Sequence, residues 1–590
     1  MFATAFIALV LISLGSAFFH TQVIDKGEYE LRAEENRLRE LPVPAPRGAV
    51  YDRNGELIAG TVTTYDLRLD PLPADSTRLL LERLQARLTL PDSTIEALIA
   101  QRRARPGQPL LVATQLDFRQ VSWIEERRAL LPAITLEPRP RRRYPQGAAV
   151  AHLIGYVGEI SAADLADSTT WGGYSMGQEV GRAGIERQYE HLLGGTPGIR
   201  YVEVNARGRE IGTFAIDEAR QPVPGTDIRL TLDLELQRFA HSIFPQERNG
   251  AIVAMVPGTG EILALYSHPT YDPNQLIGAI RPEVWRSLTR DRRRPLLNRA
   301  VSGIYPPGST WKLATALIGL EKGVITPETR MPVPCTGGMT YAGRYARCWN
   351  RDGHGSLNLA AAIQNSCNVY FYQLGIWLGL DRLGAEGTRL GFARRTGVDL
   401  PSEGSGTFPL DAEYYRDRFG WTPSPSEVMS LAIGQGPNSQ TPLRMAQFYA
   451  ALASDGRSAT PHLMSGTAPE EPETDLRVDP PTLQAVRTGL AAVTEAGGTA
   501  YMSSLQRWKL YGKTGTSQNS HDRERPHAWF TGFAGPPGGA PEVVVAVIVE
   551  FGEHGSSAAA PLAAKVADYY LNRKHGLQTE REAQTLRERS

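Results

Sequence analysis

Two apolar strand pairs that lie far apart along the chain constrain its fold most strongly. The first, GAIVAMV-PGTG-EILALYS, occupies residues 250–267, and the second, AWFTGFAG with EVVVAVIVEF, occupies residues 528–551. The residues between them read as helices; PLRMAQFYAALASDG, for example, has Thr441 as N-cap, Pro442 at the first helical position and a closing glycine. Strands at both ends with helices inserted between them predict an α+β domain whose antiparallel sheet, flanked by helices, is completed by its own ends.

The length of the chain requires more than this one domain. A single hydrophobic core stops growing at about 250–300 residues, whereas the chain has 590. Hydrophobic residues make up 41% and charged residues 21%, which is the composition of ordinary globular domains. Lys and Arg together number 63, as do Asp and Glu, so the formal net charge is zero. A protein whose main partner is a nucleic acid carries a basic footprint, and we therefore expect no nucleic-acid partner.

The first residues predict a transmembrane anchor at 1–20. Residues 2–19, FATAFIALVLISLGSAFF, carry no charge and reach the lower limit of the length that spans a bilayer as a helix. A cleaved signal peptide is the alternative, but this run is longer than the usual apolar core of such a peptide, and no A-x-A site follows it before His20. The long remainder is then expected outside the cytoplasmic (inner) membrane, as part of a single-pass protein.

Residues 21–225 are interpreted as an elongated, non-catalytic pedestal domain, because the sequence there contains no triad, metal cluster or phosphate loop. Its first part, up to the prolines at 42, 44 and 46, is charged and expected to be helical. A hairpin is predicted around Asn54-Gly55. An inserted head, at about 60–150, is rich in helical patterns.

Two arginine clusters in this head, at 102–103 and 141–143, are predicted to form a solvated face, with contact to a partner or to anionic lipid as the alternative. The second domain is placed at 226–575. A charged tail, 576–590, ends the chain.

Ser309 and Lys312 form an S-x-x-K motif inside YPPGSTWK, which the helical pattern LATALIGLEKG follows. The serine is expected in the first turn of this helix, with the lysine three residues later on the same face. At a helix N-terminus a serine oxygen meets free backbone N–H groups. A lysine partly hidden among apolar residues has a lowered pKa and can take the serine proton. Alone, this motif is weak, because any long chain contains several matches.

Two further motifs follow in order. Ser366-Cys367-Asn368 supplies S-x-N, and Lys513-Thr514-Gly515-Thr516 supplies K-T-G just before the last strand pair. S-x-x-K, S-D-N and K-T-G together are the signature of penicillin-binding proteins and class A β-lactamases, and here Cys367 replaces the middle aspartate. The chain has only seven lysines, and two of them fall in these motifs.

The residue types predict an acyl transfer. Ser309 attacks the carbonyl of a penultimate D-alanine, Lys312 takes the proton, and an acyl-enzyme forms as the terminal D-alanine leaves. Ser366 passes the proton to the leaving amine, and Asn368 holds a substrate amide.

The K-T-G strand is expected to bind the substrate. Lys513 adds positive charge near the terminal carboxylate, which the hydroxyls of Thr514 and Thr516 bind, and Gly515 lets the strand approach the substrate closely. The developing oxyanion needs two preorganised N–H donors.

Beyond these motifs the chain resembles class B penicillin-binding proteins, and most closely the elongation-type penicillin-binding protein 2 family. The resemblance covers nearly the whole chain, in the blocks RGAVYDRNGELIA, GRAGIERQYEHLLGGTPG, PLLNRAVSGIYPPGSTWK, SCNVYFY and AIGQGPNSQTPLRMAQFYA, besides KTGT. It implies a β-lactamase-like serine transpeptidase domain that cross-links peptidoglycan stem peptides and is acylated by β-lactams. It also implies a dimerisation-like pedestal, a polytopic glycosyltransferase of the rod-shape elongation machinery as partner, no cofactor for catalysis, and the amides of Ser309 and Thr516 as oxyanion donors.

All three cysteines and one histidine lie close together in the sequence, as Cys335, Cys348, His354 and Cys367. Three thiolates and an imidazole make a closed tetrahedral zinc site of structural type, and Cys367 would brace the catalytic turn. A disulfide between two of the three cysteines, or inert thiols, are the alternatives in an exported domain. The region also resembles some penicillin-binding proteins 2 that hold zinc with carboxylates, a histidine and a cysteine; here Cys335 and Cys348 stand where that pattern has aspartate.

Two other functions compete with the transpeptidase. A β-lactamase or β-lactam sensor shares the three motifs, but the large pedestal and anchor disfavour a secreted lactamase, and the lack of a polytopic segment disfavours a sensor. A scaffold that activates a membrane glycosyltransferase would leave the serine idle, which the intact motif set disfavours. Elongation rather than division is favoured by the resemblance alone.

Overall fold

The structure is a computed structural model that describes residues 2–19, 38–131, 133–204, 210–214, 221–278, 280–467, 474–518 and 525–577. Most of the predicted stalk and of the predicted charged tail lies outside these described residues. The chain forms two compact units. The first consists of Met1–Ala49, Gly60–Arg143 and His191–Thr226, and the second of Val50–Ala59, Tyr144–Glu190 and Asp227–Ser590. Residues 144–190, which the sequence assigned to the pedestal, therefore group with the second unit.

The N-terminal segment forms a helix at Phe2–Phe19. A search of the described residues for a helix with the length and hydropathy needed to cross a membrane finds none. The transmembrane anchor therefore stays a prediction.

The first unit contains a three-stranded antiparallel sheet in the order Leu38–Val43, Gly198–Val204, Glu210–Phe214. The prediction of a helix as far as Pro42 is therefore wrong for residues 38–41. These residues are a strand because Gly198–Val204, far away in the sequence, supplies the backbone hydrogen-bond partners. Local helix propensity is a weak preference that such tertiary pairing overrides.

The inserted head is built on the strand Leu57–Leu69, which pairs antiparallel with Leu110–Leu116 and Ile134–Arg143. Three helices accompany these strands: Ala74–Leu88, Asp92–Ala104 and Phe118–Glu125. Leucine and isoleucine side chains of these strands and helices form one buried cluster.

Two arginines of the predicted solvated clusters are buried, so the prediction of a solvated face is wrong for them. Arg102 is 1% exposed and donates hydrogen bonds to the carbonyls of Leu69, Asp70, Pro106 and Gln108. Arg142 is 4% exposed and donates to the Gly48 carbonyl at 2.7 Å. A guanidinium has five donors in a fixed fork, so it satisfies several backbone carbonyls at once.

The second unit is organised around a five-stranded antiparallel sheet. The strands follow the spatial order Ile262–His268, Gly250–Met255, Val543–Val549, His527–Gly535, Lys509–Ser517. The prediction that strands from both ends of this domain form one sheet is confirmed, since Gly250–Met255 pairs directly with Val543–Val549. The central strands are buried along their whole length, which explains their uninterrupted apolar runs.

Helices surround this sheet. Those of the catalytic region are Leu234–Ile243, Pro282–Arg290, Lys312–Glu321, Leu359–Gln364, Asn368–Leu378, Leu380–Arg389, Ala412–Phe419, Glu427–Ala432, Pro442–Ala453, Pro480–Val493 and Ala560–Lys574. Pro442–Ala453 and Ala560–Lys574 pack on the central strands. The predicted start of Pro442–Ala453 is confirmed, because the Thr441 hydroxyl accepts a hydrogen bond from the Arg444 N–H.

Shorter elements complete the second unit. They are the helices Ala151–Ile154, Ala162–Leu165, Ser168–Trp171 and Gly184–Gln188, and the strands Val50–Tyr51, Val157–Glu159, Glu179–Gly181, Ile228–Arg229, Gly338–Tyr341, Arg344–Arg347, Arg457–Ser458 and Thr474–Asp475. The predicted hairpin around Asn54-Gly55 is confirmed, since Val50–Tyr51 pairs with the chain that returns after the turn.

Candidate active site

Ser309 lies in a short 3₁₀ turn, Gly308–Trp311, directly before the helix that Lys312 begins. Two hydrogen bonds stabilise this turn. The Gly308 N–H donates to the Gly434 carbonyl at 3.0 Å, and the Thr310 hydroxyl donates to the Pro307 carbonyl at 2.7 Å. Gly308 has a φ of 53°, a left-handed conformation that suits glycine. Ser309 is predicted in the first turn of the α-helix, but it lies in the 3₁₀ turn just before that helix. Its side chain is half-buried.

Lys312 is fully buried, and all three hydrogen bonds that the structure gives its Nζ go to the S-x-N turn. The Nζ donates to the Ser366 carbonyl at 2.7 Å, to the Ser366 hydroxyl at 3.2 Å and to Asn368 Oδ1 at 2.7 Å. Burial lowers the pKa of Lys312 to about 8. The structure therefore brings the first two motifs together and makes the lysine easier to deprotonate.

The S-x-N turn is strained at its serine. Ser366 is buried and has a φ of 50°, in the left-handed region that costs a non-glycine residue on the order of 1–3 kcal/mol. Asn368 begins the helix Asn368–Leu378, with Cys367 as the residue before it. The hydrogen bonds from Lys312 to Ser366 and Asn368 hold this conformation in place.

The K-T-G motif occupies the strand Lys509–Ser517, which is the last strand in the spatial order of the five-stranded sheet. Lys513 is fully buried, and its Nζ donates to the Thr514 carbonyl at 3.1 Å. Burial, and then the charge of Lys312, hold the pKa of Lys513 well below its usual value. The two motif lysines are therefore close enough for their charges to interact. Thr516 is exposed, whereas the Thr514 hydroxyl is 2.9 Å from that of Thr499.

Gly515 packs against the turn that carries Ser309. A Cβ at this position would lie 3.0 Å from the Pro307 carbonyl oxygen, 3.1 Å from Thr310 Cγ2 and 2.9 Å from Trp529 Cβ. The sequence predicts that this glycine lets the strand approach the substrate closely. In the structure, the missing side chain also lets the strand pack against the Ser309 turn. The strand and the turn are thereby in direct contact.

A largely buried polar network beside the Ser309 turn is not foreseen by sequence reasoning. The Glu550 carboxylate accepts hydrogen bonds from Arg299 Nε at 2.8 Å, from the Tyr305 hydroxyl at 2.8 Å and from Asn249 Nδ2 at 3.0 Å. Burial raises the pKa of Glu550, but the charge of Arg299 and the hydrogen bonds from Asn249, Tyr305 and Arg299 together outweigh that effect, so the pKa lies below its usual value. The network ties the segment just before Ser309 to the end of a central strand. The sequence signal that could have revealed this network is Glu550, an acidic residue near the end of the apolar run EVVVAVIVEF.

The four predicted metal ligands converge. The Sγ atoms of Cys335, Cys348 and Cys367 and a ring nitrogen of His354 lie within 4.8 Å of one another. His354 Nδ1 is 3.6 Å from Cys335 Sγ and 3.5 Å from Cys348 Sγ. Tetrahedral zinc with Zn–S of about 2.3 Å and Zn–N of about 2.0–2.1 Å places sulfur and nitrogen about 3.6 Å apart, so the donor set fits this metal.

The three cysteines are free thiols in the structure. The hydrogen bond between the two thiols lowers the pKa of Cys348 and, together with burial, raises the pKa of Cys367. His354 Nε2 is buried without a hydrogen-bond partner, so the outer ring nitrogen lacks the support that zinc-bound histidines usually have.

Comparison with known proteins decides the family. Residues 250–568 match the family model of the penicillin binding protein transpeptidase domain, and residues 42–230 match that of the penicillin-binding protein dimerisation domain. The peptidoglycan D,D-transpeptidase MrdA of Acinetobacter baumannii is 33% identical over 97% of this chain and 87% of that protein. The chain belongs to the penicillin-binding protein 2 family.

Solved structures of penicillin-binding protein 2 agree. Its complex with MreC from Helicobacter pylori has a TM-score of 0.77 and 31% identity, covering 91% of this chain and 99% of that one. A solved structure of a peptidoglycan synthase complex has a TM-score of 0.73 and 32% identity, with 98% of each chain covered. The predictions of a penicillin-binding protein 2 fold and of a peptidoglycan D,D-transpeptidase acting in cell elongation are thereby confirmed, and neither the lactamase nor the scaffold is favoured.

Proposed function

We propose that this penicillin-binding protein 2 carries out its acyl transfer with Ser309 as nucleophile and Lys312 as general base. Lys312 supports this assignment most directly, because it is buried, has a pKa lowered to about 8 and contacts both Ser366 and Asn368. A neutral amine at this place takes the Ser309 proton as Oγ attacks the carbonyl of the penultimate D-alanine.

The remaining motif residues complete the first half of the reaction. Ser366 relays the proton from Lys312 to the departing D-alanine amine, as the tetrahedral intermediate collapses to an ester on Ser309. The amides of Ser309 and Thr516 hold the oxyanion, each donor contributing roughly 3–4 kcal/mol in comparable sites. The two residues lie close together: a Cβ added to Gly308, the residue before Ser309, would be only 3.1 Å from the Thr516 carbonyl oxygen.

The K-T-G strand binds the substrate. The hydroxyls of Thr514 and Thr516 bind the terminal carboxylate of the donor stem peptide, and Asn368 binds one of its amides. Lys513 supplies positive charge, since an anion beside this buried amine favours its protonated form. β-Lactams, which carry a carboxylate and a reactive carbonyl, are expected to acylate Ser309 through the same contacts.

Labelling with a fluorescent penicillin tests the assignment. The full chain should form a long-lived covalent label that Ser309→Ala abolishes and that the control Ser504→Ala, an exposed serine, retains. A label that turns over within seconds would indicate a lactamase instead. Labelling that survives in Ser309→Ala would remove this serine as the nucleophile.

The Cys335, Cys348, His354 and Cys367 cluster is proposed to hold a structural zinc ion. The ion would fix the Cys335–Cys348 loop to the catalytic turn through Cys367, which stands between Ser366 and Asn368. Metal analysis of anaerobically purified protein should give about one equivalent of zinc for the one four-ligand site. Less than about half an equivalent, together with oxidation of two of the three thiols, would favour the disulfide.

Cellular context is proposed from the relatives. Residues 1–20 would anchor the chain in the cytoplasmic membrane, with the pedestal at 21–225 and the transpeptidase domain at 226–575 outside it. Because the Helicobacter pylori relative is in complex with MreC, an MreC-like protein is an expected partner besides the polytopic glycosyltransferase. Depletion should make rod-shaped cells round, whereas filaments would point to division.

A further inference from the structure

A strongly basic surface segment of the second unit has no part in the reaction as described so far. Residues 281–294, RPEVWRSLTRDRRR, contain six arginines against the two acids Glu283 and Asp291, which is a net charge of +4 in a chain whose formal net charge is zero. Five of these arginines are exposed, those at 281, 286, 290, 292 and 294. Positive charge is therefore concentrated on this segment.

The helix Pro282–Arg290 presents this charge because its apolar side chains face inward. Val284 and Leu288, four residues apart and so on one face of the helix, pack against a small buried cluster of the second unit. Arg286 and Arg290, also four residues apart, are exposed on the other side. The apolar face of the helix is already covered, so the charged face is the one that a partner can reach.

The turn after this helix is fixed from inside the unit. Arg293, the half-buried arginine of the segment, donates from Nε to Asn249 Oδ1 at 3.1 Å and from Nη2 to the Gln246 carbonyl at 3.0 Å. Arg299, which is 2% exposed, donates to the carbonyls of Arg293 and Arg294. Because the backbone is held in this way, the exposed arginines on either side of Arg293 are presented at fixed positions, and a partner that binds them has little backbone to order.

Most of this exposed charge is not compensated by the protein. Arg286 Nη2 lies 3.7 Å from Glu283 Oε1, which is too long for a good hydrogen bond. Within the part of the chain that the structure describes, the other four exposed arginines have no ion-pair partner. A guanidinium binds a carboxylate through two parallel N–H groups. The segment therefore fits a ligand that carries several carboxylates.

Trp285 indicates which kind of anionic ligand this surface fits. It is 40% exposed and stands next to Arg286 in the sequence. Tryptophan and arginine are enriched at the centres of protein interfaces, where lysine is depleted, and this segment has six arginines and no lysine. A membrane surface fits less well, because the apolar helix face that would enter the lipid is packed inside the unit. A phosphate polymer would use the arginines but leave Trp285 without a contact.

We propose that the exposed face of residues 281–294 is a docking surface for an acidic segment of a partner protein, which places carboxylates on the arginines and an apolar side chain on Trp285. The chain's own residues 576–590 are a poor match, because they contain as many basic as acidic residues. The proposed acyl transfer uses none of the residues of this surface. Failure of the docking surface and failure of the acyl transfer are therefore separate outcomes.

Fluorescence anisotropy with the detergent-solubilised full chain tests this surface. The probe is a fluorescein-labelled peptide that repeats Glu-Glu-Leu-Gly, and its matched control has glutamine in place of glutamate. The acidic peptide should bind more tightly than the glutamine peptide, and its binding should weaken as the salt concentration rises. Arg286→Gln combined with Arg290→Gln should raise the Kd for the acidic peptide about tenfold, roughly threefold for each exposed ion pair that is lost. Trp285→Ala should also raise this Kd and leave the Kd for inorganic polyphosphate, measured by displacement of the peptide, unchanged.

Arg416→Gln combined with Arg418→Gln is the matched control. Both arginines are exposed on the helix Ala412–Phe419, and Trp421, two residues beyond it, is 44% exposed. This variant should keep the Kd within about twofold of the unaltered protein. Acidic peptide that binds no more tightly than the glutamine peptide overturns the docking surface, and so does an equal rise in Kd in the two double variants. An unchanged peptide Kd in Trp285→Ala, with polyphosphate bound through the same arginines, overturns the protein segment as the ligand. Penicillin labelling of each variant checks that it is folded.

Discussion

Lys312 Nζ lies 2.7 Å from Asn368 Oδ1, so the proposed base of the reaction and the proposed amide-binding residue are in direct contact. The same Nζ also reaches Ser366. One fully buried amine therefore joins two motifs that are far apart in the sequence, and its protonation state affects both.

Replacing the base while keeping its charge should abolish acylation. Lys312→Arg retains a cation, but a guanidinium stays protonated at all accessible pH values and cannot take the Ser309 proton. We expect the rate of penicillin labelling to fall by a factor of about 10²–10⁴, the usual contribution of a general base. Lys322→Arg, on the exposed end of the same helical region, is the control and should label normally. Retained labelling in Lys312→Arg would remove the base assignment.

The rate of acylation should rise with pH through about 8. The neutral amine of Lys312 is the active form, burial lowers its pKa to about 8, and the neutral fraction grows as protons are removed. Between pH 7 and pH 9 that fraction increases from about one eleventh to about ten elevenths, so the second-order rate constant should increase about tenfold. Stopped-flow acylation by penicillin between these values measures it. A rate that is flat or falls over this range contradicts the prediction.

Adding one methyl group at the K-T-G glycine should separate the strand from the nucleophile turn. In Gly515→Ala the new Cβ meets the Pro307 carbonyl oxygen at 3.0 Å and Trp529 Cβ at 2.9 Å, and neither is the end of a flexible side chain. Overpacking of this kind costs about 1–3 kcal/mol. We expect weaker penicillin labelling and a lower thermal midpoint. Gly258→Ala, whose Cβ meets nothing within 4 Å, should change neither, and normal labelling in Gly515→Ala would show that the turn adapts.

Neutralising Glu550, the largely buried acid close to the Ser309 turn, should destabilise the fold. Glu550→Gln leaves Arg299, whose side chain is 3% exposed, without a charged partner. Removing one member of a buried pair costs about 3–5 kcal/mol, because the remaining charge stays desolvated. Thermal unfolding of the full chain should show a clearly lower midpoint. Glu261→Gln removes the half-exposed partner of Arg53 and should have little effect; an equal loss in both variants would contradict the role of burial.

The sequence by itself predicted the class of reaction and that strands from both ends of the catalytic domain share one sheet. Ser309, Lys312, Ser366, Asn368 and Lys513 are recognisable as candidate catalytic residues because the motifs S-x-x-K, S-x-N and K-T-G occur together and in the order of a known signature. The sheet is recognisable because strands buried on both faces must be apolar throughout. The proposed metal ligands stand out as the only cysteines in the chain, with a histidine close to them.

Only the tertiary structure decided which groups touch. It turned residues 38–41 into a strand, buried Arg102 and Arg142, and assembled Arg299, Tyr305 and Glu550 beside the Ser309 turn. It also gave Gly515 its packing role. These features depend on partners contributed by distant segments, and a pattern along one segment carries no information about which distant side chain will desolvate or neutralise it. Local pattern therefore fixes what a residue is able to do, and the packing of distant segments fixes its pKa, its strain and its neighbours.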